Sequence, residues 1–216
     1  IKRINELFKE QYMSENVNAA AANMQNKEIN KKGLAILDMC YIAIFAAIIA
    51  VLAQISVPMV SGVPVTLQTL AVALAGIVLG GKRGALAAIV YLILGAVGLP
   101  VFAGLKGGIG VLFGMTGGFI ISFPLLAFAA GTAADAAAGK DTKAKVVIVA
   151  AGLAIGAVLN YAVGTVWFAA VSGSSIATGI AACVAPFVVN DIIKFILAYW
   201  LGMILKKALI KAGLLK

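Results

Sequence analysis

From residue 34 onward the chain is a succession of long apolar runs separated by short polar or glycine-rich connections. Six runs read as helices that cross a membrane: Leu34–Ile55, Leu67–Leu79, Ala85–Val97, Gly117–Ala134, Val146–Val171 and Ile180–Leu205. A helix needs roughly 20 apolar residues to cross about 30 Å of hydrocarbon, so the second and third runs must tilt or extend through their flanks. The two-residue alternation of a membrane β-barrel is absent. The expected architecture is an all-α membrane protein with six transmembrane helices over residues 34–216, preceded by a polar tail over residues 1–33 with a short amphipathic piece at Ile4, Leu7 and Phe8.

Composition agrees with the pattern. The chain is 63% hydrophobic and 12% charged, with mean hydropathy +1.09, which excludes an ordinary soluble domain. The first apolar run starts only at Leu34 and no processing site follows it, so it is expected to stay in the protein. A net charge of +9 would suit a nucleic-acid partner, but the basic residues flank the spans instead. Lys27, Lys31 and Lys32 precede the first, Lys82 and Arg83 separate the second and third, Lys140, Lys143 and Lys145 separate the fourth and fifth, and Lys206, Lys207, Lys211 and Lys216 follow the sixth. The other three connections hold one basic residue, Lys106, so both termini are expected in the cytoplasm. On that topology Trp167 and Trp200 fall in the interfacial aromatic belts. There is no His, and Cys40 and Cys183 start spans at opposite faces. Both read as packing residues, with no disulfide and no metal or haem site.

The last run contains the least expected chemistry. Its stretch APFVVNDIIKFILAYW, Ala185–Trp200, places Asp191 and Lys194 about halfway across. Each charge near a bilayer centre costs roughly 2.5–3.5 kcal/mol, so the two require a partner, a wet cavity or a ligand. Three residues apart on a helix they share a face and can pair. Two readings fit: a salt bridge that pins helices together, or one wall of a polar pocket for a small organic solute. Depth distinguishes them. Gln54, Gln68 and Asn160 fall in the outer halves of their spans, with Tyr91, Asp191 and Lys194 near the midplane. Polar groups gathered towards one side describe a capture site. Two outer connections can shape its mouth: SVPMVSGVPVTLQT, stopped from forming helix by Pro58 and Pro64, and GLPVFAGLKGGIGVLFGMTGG, whose glycines, Gly108 among them, allow close backbone approach beside Lys106. The latter reads as a lid or as a surface loop with a solvated lysine.

Small-residue stripes run along two spans: Ala43, Ala46, Ala47 and Ala50 on the first, Gly152, Gly156 and Gly164 on the fifth. Such faces let helices approach closely in lipid and serve internal packing or a docking partner. A catalyst would need a nucleophile with a base, a metal cluster or paired acids. With no His and no second acid beside Asp191, the chain does not read as an enzyme. It has no Walker A sequence, so any ATP-driven step belongs to other subunits.

Three segments carry a family likeness: VPVTLQTLAVALAGIVLG at Val63–Gly80, GLPVFAGLKGGIGVLFGMTGGF at Gly98–Phe119 and PFVVNDIIK at Pro186–Lys194. Over roughly residues 37–205 the chain resembles the BioY family, the biotin-specific substrate-binding (S) components of energy-coupling-factor importers. Met115 departs from the family pattern, which expects a proline before Thr116-Gly117-Gly118. The resemblance implies a six-helix S-component fold in a prokaryotic plasma membrane, with biotin bound from outside and no cofactor. It also implies docking on a transmembrane coupling protein driven by two cytoplasmic ATPases, through Ala43 with Ala47 or Ala46 with Ala50 on the first span. For biotin, Asp191 would accept from the ureido N–H groups; Asn160, Gln54 or Gln68 would donate to the ureido carbonyl; Tyr91 and the loop around Gly108 would cover the rings. The valerate carboxylate would meet Lys106 or Lys194, with Lys106 at the mouth the favoured partner.

Overall fold

The last apolar run does not remain one helix, and one connection is partly helical. The structure, a computed structural model, describes residues 36–59 and 62–215; the polar tail lies outside the described residues. Tyr41–Lys216 forms one compact unit, and of the other unit, Ile1–Cys40, only the helical residues from Ile36 are described. The helices are α1 (Ile36–Ala53), α2 (Gln68–Leu79), α3 (Gly81–Ala96), α4 (Ile109–Leu112), α5 (Gly117–Ala136), α6 (Thr142–Ser172), α7 (Ile176–Cys183) and α8 (Ala185–Lys211). Helices α1, α5, α6 and α8 are each long and apolar enough to cross a membrane. At 1.5 Å per residue, α2 and α3 reach only about 18 and 24 Å. As expected of a short span, α3 extends through its flank, starting at Gly81 and not at Ala85; α2 does not extend.

Helix α2 is the buried centre of the bundle. Eleven of its side chains or backbones are buried, and it packs on α3, α5 and α8. A helix apolar on every side belongs in such a place. Gly80, at φ 85 and ψ 169, turns α2 directly into α3, a conformation that a side chain would strain. Beside this turn Asp135 of α5 accepts from the Gly81 N–H at 3.2 Å and from Lys206 Nζ of α8 at 2.9 Å, which ties three elements at the end bearing the basic residues.

Glycines set the spacing there. A Cβ on Gly76 would fall on the Ala127 carbonyl, one on Gly84 would lie 2.6 Å from the Gly76 Cα, and one on Gly131 would strike the backbone of Gly80 and Gly81. The backbones of α2, α3 and α5 therefore touch, as small residues permit in lipid. Gly152, Gly156 and Gly164 of α6 meet Ala133, Leu126 and Phe119 of α5 in the same way, so the stripe on the fifth span is internal packing.

At the other end the chain opens into connections. Ser56–Val57 (β1) pairs antiparallel with Val65–Thr66 (β2), pinching the proline-containing loop into a hairpin. The expected last span, Ile180–Leu205, is corrected: α7 ends at Cys183, Val184 interrupts the helix, and α8 starts with Pro186 in its first turn. Proline lacks an N–H and fits there but not in a helix interior. Cys183 is buried beside Phe168 and Phe187, whereas Cys40 is exposed and so is not the packing residue the sequence led us to expect.

The glycine seam yields a test. Gly131→Val should destabilise the protein by about 1–3 kcal/mol or more through overpacking, whereas Gly110→Ala, whose added Cβ meets nothing within 4 Å, should melt like the parent. Thermal unfolding in detergent compares the two, and equal melting temperatures would refute backbone contact at the seam.

Candidate functional site

The break before α8 fixes the phase of that helix, so that Phe187, Asp191, Lys194, Ala198 and Gly202 form one buried face. Asp191 and Lys194 are 4% and 6% exposed and pair at 2.8 Å through Asp191 Oδ1. Neighbouring helices complete the pair. Thr69 Oγ1 of α2 donates to the same oxygen at 2.8 Å, Tyr161 Oη of α6 donates to Oδ2 at 2.5 Å, and Lys194 Nζ also reaches Thr69 Oγ1 at 3.4 Å. A buried ion pair needs this additional hydrogen bonding to offset its desolvation.

Next to the pair lies a cavity of about 260 Å³, just below the roughly 300–1,000 Å³ range of small-molecule sites. Its polar wall includes Thr66, Gln68, Thr69, Asn160, Tyr161, Asp191 and Lys194; Phe102, Phe119, Ile120, Phe123 and Phe187 supply apolar wall, and Lys106 lies among the residues of the 98–116 connection. The ionisable acid and ammonium groups lining it are one carboxylate, Asp191, and two lysines, Lys106 and Lys194. Lys194 is spent on Asp191, and among the described residues no salt bridge involves Lys106. The cavity thus has one positive charge in excess.

Two supports hold the polar wall in place. Thr66 Oγ1 donates to Gln68 Oε1 at 2.8 Å, and Gln68 Nε2 donates to Tyr91 Oη at 2.5 Å. Tyr91 is fully buried and meets Phe102 edge-on, ring centroids 5.5 Å apart. On the opposite side Asn160 Nδ2 donates to the Phe119 carbonyl at 3.0 Å and to Ser122 Oγ at 2.8 Å. Both amide hydrogens are then used, and what Asn160 presents to a guest is its oxygen.

Of the residues the sequence singled out, the structure brings Gln68, Lys106, Asn160, Asp191 and Lys194 to one cavity. Three are corrected. Tyr91 stands behind Gln68 and Phe102 and does not line the cavity. Gly108 serves geometry: at φ 95 it caps α4, and its N–H donates to the Gly95 carbonyl at 2.7 Å. Gln54 turns to the 98–116 connection, its Oε1 accepting from the Leu105 N–H at 2.9 Å and its Nε2 reaching the Val101 and Phe102 carbonyls at 3.1 and 3.2 Å besides the Ala50 carbonyl of its own helix at 3.0 Å. Asn160 is on the wall but as an acceptor, not the expected donor. Trp167 donates its indole N–H to the Gly114 carbonyl at 3.0 Å, so it fastens the connection. Trp200 is 62% exposed. Thr69 and Tyr161 were missed, although a hydroxyl within an apolar span requires a partner and each adjoins a residue that was noticed.

The described residues contain no group of three side chains that could hold a metal. On α1, Ala43 and Ala47 are exposed while Ala46 is buried in the core with Phe45 and Ile49, which leaves the Ala43–Ala47 pair as the open small-residue face.

Known proteins carry the same features. The model of the BioY family matches residues 23–211, starting within the polar segment and so earlier than the motifs alone indicate. The chain is 41% identical over 157 residues to a protein of Pyrococcus horikoshii described as a probable biotin transporter BioY, covering 73% of this chain and 88% of that one. It is 43% identical over 164 residues to the biotin transporter BioY of Thermotoga maritima, covering 76% and 92%. The crystal structure of an S-component for biotin from an ECF-type ABC transporter superposes with a TM-score of 0.70 at 28% identity, over 80% of this chain and 92% of that one. These relatives are transport proteins and not enzymes. Matched over most of its length by the family model and by relatives above 40% identity, this chain of long apolar helices belongs to the BioY family of multi-pass proteins in the prokaryotic plasma membrane.

Proposed function

We propose that the chain is the biotin-capturing S component of an energy-coupling-factor importer and that the cavity beneath the 98–116 connection is its biotin site. The observation that carries this reading is the charge arrangement: a neutralised Asp191–Lys194 pair deep in the wall and, beside it, Lys106, which has no salt bridge among the described residues. A solute with a neutral polar head and an anionic tail matches it. Biotin has a ureido ring at one end, an apolar bicycle and a carboxylate at the other.

Hydrogen-bond arithmetic assigns the contacts. A carboxylate has about four acceptor positions; Thr69, Lys194 and Tyr161 take three at Asp191, so one ureido N–H fits there. The Asn160 oxygen takes the other. An ammonium has three hydrogens; Lys194 uses two on Asp191 and Thr69 and turns the third to the ureido carbonyl. Phe119, Phe123 and Phe187 pack on the bicycle, and Lys106 receives the carboxylate. Analogues without the ureido or acid group leave buried partners unmatched, at about 1–3 kcal/mol each. Basic residues Lys82, Arg83, Lys206 and Lys207 lie at the helix ends away from the cavity, so the positive-inside rule turns its mouth outward and both termini inward. Delivery would then require a transmembrane coupling protein seated on the exposed Ala43–Ala47 face and two ATPases below it.

Calorimetric titration of the purified protein with biotin and with other vitamins tests the reading, and binding of another vitamin in preference to biotin would overturn it. Asp191→Asn should abolish measurable binding and also lower stability, because it strands the Lys194 charge at a cost of about 3–5 kcal/mol. Replacing both, Asp191→Leu with Lys194→Met, should restore the melting temperature but not biotin binding; retained binding would make the pair a mere staple. Lys106→Ala should weaken biotin about tenfold or more and leave biotin amide, with its neutral tail, nearly unchanged. Ala47→Trp should bind biotin normally yet fail in ATP-dependent uptake with the partner subunits, and normal uptake would move the docking face elsewhere.

A further inference from the structure

The half-buried side chain of Gln54 makes hydrogen bonds that no ligand contact explains. It leaves the end of α1 and crosses to the turn that carries Lys106: its Oε1 accepts from the Leu105 N–H at 2.9 Å, and the two hydrogens of its Nε2 are shared among the Ala50 carbonyl of its own helix and the Val101 and Phe102 carbonyls of the turn, at 3.0, 3.1 and 3.2 Å. The turn itself is tight. Phe102 and Lys106 pair antiparallel across it, with N···O distances of 2.9 and 3.3 Å, and Leu105, at φ 55, is the one non-glycine residue in the left-handed region among the described residues. That conformation costs a branched side chain steric energy and persists only where the surroundings hold it. Leu105 is 69% exposed, so side-chain packing does not hold it; the Phe102–Lys106 backbone pair that closes the turn and the Gln54 oxygen on the Leu105 N–H do.

From this geometry we infer that Gln54 is a positioning residue that fixes the Phe102–Lys106 turn so that the Lys106 ammonium stands over the cavity, setting selectivity for a carboxylate-tailed solute. The inference rests on the assignment of Lys106 to the biotin carboxylate, and its distinctive content is that Gln54 acts through Lys106 without touching the ligand. A turn freed from Gln54 lets Leu105 relax to negative φ, which swings the next residue, Lys106, away from the mouth. The ureido end, held by α2, α6 and α8, is untouched.

A double-mutant cycle read by titration with biotin and with biotin amide tests this. Gln54→Ala and Lys106→Ala should each weaken biotin about tenfold, the double variant should be no weaker than Lys106→Ala alone, and the amide should bind all three as it binds the parent. Gln54→Met, which keeps the volume without the hydrogen bonds, serves as the second variant should Gln54→Ala not fold. Adding Leu105→Gly to Gln54→Ala should recover part of the loss, since glycine adopts φ 55 freely. Equal weakening of biotin and the amide by Gln54→Ala, or additive losses in the double variant, would overturn the inference while Lys106 kept its role. A Lys106→Ala protein that binds biotin like the parent would instead refute the carboxylate assignment, and the coupling with it.

Discussion

Everything in this bundle is arranged around an ion pair placed where charges are least welcome. Asp191 and Lys194 are almost fully buried within a membrane-spanning helix, and neither could remain there alone. Their neutralisation within one helix turn lets α8 enter the bilayer; their remaining hydrogen-bond capacity then fixes who their neighbours must be. Thr69 and Tyr161 satisfy the carboxylate from α2 and α6, so the same pair that makes the helix tolerable also aligns three helices around a cavity. Because the pair cancels its own charge, the charge of the cavity is set elsewhere, by Lys106.

Glycines allow close approach at both ends of the bundle, but of different groups. At the turn between α2 and α3, glycines bring backbones into contact and Asp135 ties the elements together; no room is left there. Towards the other end glycines seat aromatic side chains instead, Gly95 against Phe102, Gly118 against Trp167 and Gly164 against Phe119, and a 260 Å³ cavity opens beside them. The loops over it are fastened, not loose: Gln54 grips the Lys106 turn, the Gly95 carbonyl holds Gly108, and Trp167 holds Gly114. A site whose walls are hydrogen-bonded before a guest arrives has less conformational entropy to lose when it binds.

The apolar runs made most of the fold legible, since the requirement to satisfy every backbone group in lipid leaves little choice but helix. Short α2 was readable as a helix but not as the central one, because an all-apolar run says nothing about which neighbours surround it. Pro186 was visible in the sequence, yet its consequence, a helix break that separates α7 from α8, depends on where the preceding helix ends. The buried charges were legible from cost alone. Gln54 was not: depth places an amide at the mouth of a site but does not say whether it faces the guest or the chain. Asn160 was placed at the wall and misread in polarity for the same reason, its hydrogens being claimed by Phe119 and Ser122 of α5.

A single face of α8 links these features. Phe187, Asp191 and Lys194 line the cavity, and one and two turns further on Ala198 and Gly202 continue the same stripe into the core. There a Cβ on Gly202 would lie 2.7 Å from Ile77 of α2, so α8 and α2 are in close register at that level, while Thr69 and Asp191 register them at the level of the cavity. Two points of registry on one pair of helices leave little freedom to slide: a shift of even 1 Å at Gly202 carries over to a hydrogen bond whose useful range is only about half an ångström wide. The polar wall is therefore as well positioned as the apolar packing beneath it, and a guest that adds hydrogen bonds to Asp191 and Lys194 strengthens the α2–α8 contact in turn, since anything that binds the aligned state stabilises it.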